Sequence, residues 1–437
     1  MALSPIFQIY LIKKMHHEFS LEYAQSLDRE DDRHSFREQF YAPYLNKKRT
    51  VYFLGNSLGL QPKNTQDEIL KVMEGWANFG VEGFFLGKDP WLNYHQQIIP
   101  LLTGIVGAKA EELVIMNHLT VNLHLLMMSF YQPTNNRYKI ICEAKAFPSD
   151  QYAFQSQVKM HGYDPASAII EVFPKTGNDL ITTEDILTTI DQHKDSLALV
   201  LFSGVNYYTG QVFDIPAITK AAHNVGAYSG FDLAHAAGNI KLELHDWDVD
   251  FACWCNYKYL NSGPGAIAGA FVHERHLDNK ALPRLEGWWG NDASNRFKMQ
   301  SSFTSSSTAE NWSMSTPPIM LLAAHKAALQ VFAAAGFDNL LAKSRAMGEY
   351  LFFALNYINQ PTEKFRIITP ANISERGAQV SISIHENAKA VFETLMPLGI
   401  FADWREPDVI RIAPVPLYNS FEEIFIFADI LRQLLND

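Results

Sequence analysis

From about Leu113 onward, short apolar runs rich in β-branched and aromatic residues alternate with stretches of helical period. YKIICEA, LALVLFSGV, GAYSGFDLA and DFACWCNY read as strands, and IPAITKAAHNVG, between two of them, reads as a helix. Runs that are apolar on both faces belong in a sheet covered on both sides, so the alternation predicts an α/β fold with a mostly parallel sheet. Between Ser315 and Gln360 the apolar positions fall at helical spacing in two blocks, the first rich in alanine and leucine, the second ending near Asn359, Gln360 and Pro361. The texture then changes. AQVSISI alternates strictly, AVFETLMPLG reads as a helix, VIRIAP as a strand and SFEEIFIFADILRQLL as a terminal amphipathic helix, which predicts a smaller α+β domain. The expected organisation is an N-terminal segment over 1–50, a large domain over 51–315, connecting helices over 316–360 and a small domain over 361–437 that packs with the N-terminal segment. No internal repeat or low-complexity linker interrupts it.

Composition narrows the choice of partner. The 437 residues are 47% hydrophobic, enough for a large core. A formal net charge of −11 argues against nucleic acid and anionic membranes, which need a basic face, and makes a small-molecule substrate the default. Each of the three cysteines, Cys142, Cys253 and Cys255, lies in a predicted strand. Cys253 and Cys255 share a strand face but have no second ligand pair, so reduced core thiols in a cytoplasmic protein are expected, with no metal. The N-terminus, MALSPIFQIYLIKKMHHEF, carries its apolar residues before its lysines, the reverse of a secretory signal, and Met15 is an alternative start.

The candidate chemistry sits at strand ends. CWCNYKYLNSGPG places Lys258 between two tyrosines, after an apolar run and before a glycine-rich turn. An ammonium is costly to bury unless it is paired, neutralised or used covalently, and lysine is the residue that forms Schiff bases. In GFDLAHAAG, Asp232 ends the preceding strand and His235 follows, at the carboxyl edge where open α/β sheets bind ligands. An aspartate that faces a protonated pyridine nitrogen, with an amine on the same edge, is the minimum kit of a pyridoxal-phosphate (PLP) enzyme. Taken singly, a structural aspartate cap and a snorkelling lysine account for either residue. Thr120 in NHLTVNLHLL is suited to capping a helix, and a helix N-terminus with a hydroxyl is a phosphate site, though many caps bind nothing. AKAFPSD offers Phe147 as a face for a pyridine ring with Ser149 and Asp150 behind it, or else an ordinary proline turn.

LTVNLHLL, EAKAFPSD, FSGV, YTGQ, FDLAHAAGN, YKYLNSGPG and IRIAPVPLYNS together resemble the kynureninase family in order and spacing, from about GNSLGL to the C-terminus. Seven ordered blocks are far more specific than any one lysine motif. The resemblance implies the fold-type I, aspartate-aminotransferase-like architecture, with a seven-stranded type of sheet, a small C-terminal domain and a homodimer whose active sites lie between subunits. It implies Lys258 as the Schiff-base lysine, Asp232 as the pyridinium partner, His235 beside the ring and Phe147 stacked on it. Leu119 and Thr120 become the phosphate-binding helix start, with Ser203, Tyr257 and Trp288 completing the contacts and Pro148, Ser149 and Asp150 supporting from the FPSD turn. Thr316, in STPP, joins both cofactor and substrate contacts.

For the substrate, the resemblance implies Arg411 of VIRIAP as the α-carboxylate clamp, since a planar fork matches a carboxylate bidentately; without it, an edge-strand arginine in solvent would be the preferred reading. Ser57 of GNSLGL is expected to reach the site. The implied activity is hydrolysis of L-kynurenine to anthranilate and L-alanine, with Lys258 taking the Cα proton and Tyr257 relaying protons at Cβ. Two positions depart from animal members: GVEGFFLGKDPW puts Phe84 where those carry histidine, and STPP has Thr316 where they carry asparagine. That puts the ring-substituent preference in doubt, with 3-hydroxykynurenine expected to be the poorer substrate. A cysteine desulfurase-like β-lyase on the same fold would need a mobile-loop cysteine, and a non-catalytic PLP-fold binding protein would be expected to have lost Lys258 or Asp232.

Overall fold

The computed structural model describes residues 17–360 and 363–436, so the alternative start at Met15 lies outside the described residues. The chain divides into two compact units. One is built from the chain up to Asn64, from Tyr207–Val212 and from Val331 onward; the other comprises Thr65–Asn206 and Phe213–Gln330.

The larger unit is organised by a seven-stranded sheet: β1 (Leu113–Ile115), β2 (Lys139–Glu143), β3 (Ile169–Val172), β4 (Leu197–Ser203), β5 (Tyr228–Asp232), β6 (Phe251–Cys255) and β7 (Ala268–Val272). Their order across the sheet is β1-β7-β6-β5-β4-β2-β3. Strands β6, β5, β4, β2 and β3 run parallel, whereas β7 is antiparallel to both of its neighbours. β6 and β7 are buried along their whole lengths, as runs apolar on both faces require. Gly230 serves close packing inside β5: a Cβ there would lie 2.1 Å from the Phe251 ring. Helices α1 (Leu119–Phe130), α2 (Pro148–Met160), α3 (Thr183–Gln192) and α4 (Ile215–Asn224) link or cover these strands. The core joins Leu123, Leu126 and Phe130 of α1 and Phe154 of α2 to Ile140, Leu201, Phe251 and Cys253 of the sheet.

In the other unit, β8 (Phe365–Ile367), β9 (Val380–Ile384), β10 (Asp403–Arg405) and β11 (Val409–Ile412) form an antiparallel sheet in the order β8-β9-β11-β10. Its core gathers residues of the helices Leu21–Glu30, Phe337–Asn359 and Phe421–Asn436 around Val380, Ile382, Ile410 and Ile412. The boundary between the units falls within the helix Ile319–Ala335, at Gln330/Val331. No single helix among the described residues is long and apolar enough to cross a membrane.

Candidate active site

Because β2, β4, β5 and β6 are parallel, their carboxyl ends share one edge, and each ends on or near a polar residue: Glu143, Ser203, Asp232 and, just past Cys255, Lys258. Asp232 lies in register with Ser203 on one side and Cys253 on the other. Its carboxylate accepts the Ala234 N–H at 2.7 Å, while its own carbonyl accepts Gly204 N–H at 2.8 Å, so the strand end is tied down through both side chain and backbone.

Lys258 is held by a turn rather than by the strand itself. Asn261, with φ of 56°, donates its N–H to the Lys258 carbonyl at 3.0 Å, and Ser262 donates to Asn256 O at 3.0 Å. Beneath the turn the buried Asn256 accepts from Trp254 Nε1 at 2.9 Å and donates to Ile267 O at 2.7 Å. The half-buried ammonium projects to 5.9 Å from the centroid of the Phe147 ring. The NSGPG stretch thus encodes a rigid post for one amine.

Phe147 is the residue before α2, which begins at Pro148, so FPSD is a helix N-terminus and not a free proline turn. The Thr120 expectation needs a similar correction. Helix α1 begins at Leu119 with His118 in the capping position and no side-chain cap, which places Thr120 inside the first turn. Its hydroxyl is nonetheless engaged, 2.7 Å from Ser149 Oγ in the first turn of α2. Two helix starts without side-chain caps therefore meet through a pair of hydroxyls, an arrangement of N–H groups and positive dipole ends suited to an anion such as phosphate.

Asp150, Asp232 and Glu143 are all buried on this edge. Burial pushes both the Asp150 and the Asp232 carboxyls up; the hydrogen bond between them favours the protonated form of Asp150 and the charged form of Asp232, with Lys258 as their countercharge. Glu143 is not among the residues expected from the sequence. It accepts the Ser203 N–H on both oxygens and is pushed up to about 7 by burial. The signal for it is a carboxylate ending the apolar KIICE just as Asp232 ends GFD. Tyr257 is half-buried against the Cys255 thiol, and its phenol is pushed up mainly by burial, so it is a neutral proton donor at physiological pH. His235 is buried, its ring edge-on to Tyr259 at 6.5 Å.

The remaining expected residues are partly or fully exposed, or belong to the other unit. Trp288 is 43% exposed and donates Nε1–H to Arg296 O at 3.1 Å. Thr316 is exposed, and Phe84 is half-buried with its ring edge-on to Trp91 at 5.4 Å. Ser57 and Arg411 belong to the other unit, Ser57 exposed and Arg411 only 1% exposed. The edge-strand alternative for Arg411 fails: β11 is an interior strand, and the guanidinium donates to Tyr207 O at 2.5 Å and pairs with Asp403.

Comparison with known proteins points to one family. A family model described as the kynureninase C-terminal domain matches residues 340–431. Relatives named kynureninase include those of Flavobacterium johnsoniae, 53% identical over 94% of this chain and 97% of the relative, and Myxococcus xanthus, 50% identical over 95% and 97%. The mouse kynureninase is 45% identical over 94% of this chain and 93% of its own. Among solved structures, the cysteine desulfurase of Thermococcus onnurineus superposes with a TM-score of 0.72 at 18% identity, covering 89% of this chain and 95% of that one. A C-DES variant with glycine covalently linked to its PLP cofactor gives 0.74 at 16% identity, covering 92% and 99%. At those identities the likeness is one of fold.

Proposed function

The chain belongs to the kynureninase family, and from that premise we propose that it hydrolyses L-kynurenine to anthranilate and L-alanine with PLP as cofactor. The observation that carries the reading is identity near 50% with kynureninases over almost the whole chain, far above the 16–18% shared with desulfurase-type neighbours. All three cysteines are buried, so a desulfurase-like chemistry that needs a mobile nucleophilic thiol is disfavoured.

The residues fit the cofactor. The Thr120–Ser149 hydroxyl pair at two helix starts suits its phosphate, Phe147 offers a ring face, the buried Asp232 suits a protonated ring nitrogen and Lys258 an aldehyde carbon. When bound, PLP supplies an electron sink for the bonds at the substrate's Cα. Asp232 would keep that sink effective by holding positive charge at the ring nitrogen, and Asp150, hydrogen-bonded to Asp232, would orient it. The Lys258 amine removes the Cα proton. With water added to the γ-carbonyl and Cβ–Cγ cleaved to release anthranilate, the neutral Tyr257 phenol would donate the proton that completes the methyl group of alanine, and Lys258 would return the proton to Cα. Arg411 binds the α-carboxylate, with Leu119, Pro148, Ser203, His235, Trp288, Thr316 and Ser57 as further cofactor or substrate contacts.

A homodimer working in the cytoplasm completes the reading. Trp76, Phe79, Val81, Phe85 and Leu86 leave 41–72% of their surfaces exposed on one helix and the segment after it, an apolar surface suited to a partner subunit. Incubating the purified protein with L-kynurenine tests the activity directly: anthranilate fluorescence and stoichiometric alanine are expected, and neither appearing would overturn it.

A further inference from the structure

At the edge of the large sheet opposite Lys258, three segments bring metal-ligating side chains together. Glu112 directly precedes β1, His273 directly follows β7, and His245 lies on the segment leading to β6. Because β7 runs antiparallel to β6, with Val272 opposite Phe251, the residues at these ends meet on the edge away from the reactive lysine. One ligand atom from each residue lies within 4.8 Å of the others. We propose that Glu112, His245 and His273 form a binding site for a divalent transition metal of the zinc class.

The donor set is the first argument. Two imidazoles and one carboxylate suit zinc and its neighbours, leaving a fourth position for water, and do not suit magnesium or calcium, which take oxygen ligands. The ligands are also pre-positioned. Glu112, fully buried, has Oε1 2.8 Å from His245 Nδ1 and 3.9 Å from His273 Nδ1. Its carboxylate is oriented by the N–H groups of Glu274 at 2.9 Å on Oε1 and Lys109 at 2.9 Å on Oε2. The outer nitrogen of His273, Nε2, lies 3.4 Å from Asp248, the carboxylate–histidine arrangement that turns the inner nitrogen toward a metal. The two imidazoles lie nearly parallel, 4.9 Å apart.

The surroundings favour a cation. Four carboxylates, Glu112, Asp248, Asp250 and Glu274, stand against two fixed cations, Arg275 and Lys109. Arg275 is itself paired to Asp248 and Asp250. Two existing contacts yield on binding: the His245–Glu112 hydrogen bond, whose proton moves to the other ring nitrogen, and the long 3.2 Å bond from Arg275 N–H to His273 Nδ1. His245, part-exposed, provides the entry.

The test is calorimetric titration of the tag-free, PLP-loaded protein with ZnCl2, paired with visible spectroscopy of the Co2+ form. One saturating equivalent is expected, with d–d bands of tetrahedral intensity; His245→Ala should weaken binding at least ~10-fold, and His193→Ala, at the end of α3 before β4, should not. In the unmodified chain, Zn2+ should protect His245 from diethylpyrocarbonate, read by peptide mapping, which does not depend on any variant folding. Absence of saturable binding, binding unchanged in His245→Ala, or no protection of His245 would overturn the site. Activity toward kynurenine is read separately, since the site does not rest on the proposed reaction.

Discussion

The Glu143 carboxylate accepts the Ser203 backbone N–H on both oxygens, at 3.1 Å each, and thereby locks the end of β2 to the end of β4 beside Asp232. Burial pushes this carboxyl up to about 7, so in the folded cofactor-free protein it takes up its proton well above the value it has in an unfolded chain. A raised carboxyl means that the native state binds more protons than the unfolded one between about pH 4.5 and 7, and stability falls as pH rises through that window. The full shift corresponds to at most about 3 kcal/mol. Glu143→Gln keeps the shape and loses the titration. Its cofactor-free stability, followed by urea unfolding, should be flatter than wild type from pH 5 to 7.5, and an unchanged slope would remove Glu143 as the cause.

Lys258 should be the residue that holds the cofactor covalently, because its post-like turn presents one amine beside Phe147 and two buried carboxyls. Borohydride treatment of the loaded protein followed by peptide mapping should label Lys258. Lys258→Ala should retain PLP at the Thr120–Ser149 helix starts without a reducible linkage, and label on another lysine would reassign the site.

Much of this site is legible in the sequence alone, and the reason is physical. A buried strand announces itself as an apolar run, and a polar residue that ends such a run must sit at a sheet edge, which is how Asp232 and Lys258 can be singled out. Direction is another matter. Apolar periodicity is blind to it, so the antiparallel course of β7, which turns two strand ends toward the far edge, leaves no mark in AGAFV. The helix start at Leu119 is displaced from the expected one because the motif puts a good capping hydroxyl at Thr120, whereas the chain uses it to meet Ser149. Glu112, His245 and His273 share no spacing motif; only the closing of the sheet brings them together.

Arg411 is expected to bind the substrate α-carboxylate, yet it is also a buried partner of Asp403, so two effects have to be separated. Removing a charge-assisted bidentate contact should cost about 1.5–3 kcal/mol, roughly ten- to a hundredfold in kcat/KM. Asp403 would keep only Arg405, 3.1 Å away, as its cation, so the loss of stability should stay below the roughly 3–5 kcal/mol of a fully uncompensated buried charge. Adding Asp403→Asn to Arg411→Ala should restore much of the Tm while leaving KM high. Recovery of KM along with Tm would make Arg411 a structural residue only.

The substrate ring preference turns on Phe84 and Thr316. Phe84 stands edge-on to Trp91, and Gly83 leaves the room this needs, since a Cβ there would come within 2.7 Å of the Trp91 ring. Its side chain thus presents only hydrocarbon, and Thr316 adds one short hydroxyl that can turn to its own backbone. Histidine and an amide, by contrast, each pair with a ring hydroxyl. If the substrate's ring is enclosed by these residues, an added 3-hydroxyl is buried without a partner at about 1–3 kcal/mol, and L-kynurenine should be favoured roughly five- to a hundredfold in kcat/KM. Phe84→His combined with Thr316→Asn should move the ratio toward 3-hydroxykynurenine with little change in Tm. The opposing account is that Phe84 only braces Trp91; then the double variant would lose stability and leave the ratio where it was. Direct competition of the two substrates decides between them, and an equal or larger kcat/KM for the hydroxylated substrate in the wild-type protein would rule out the pocket argument.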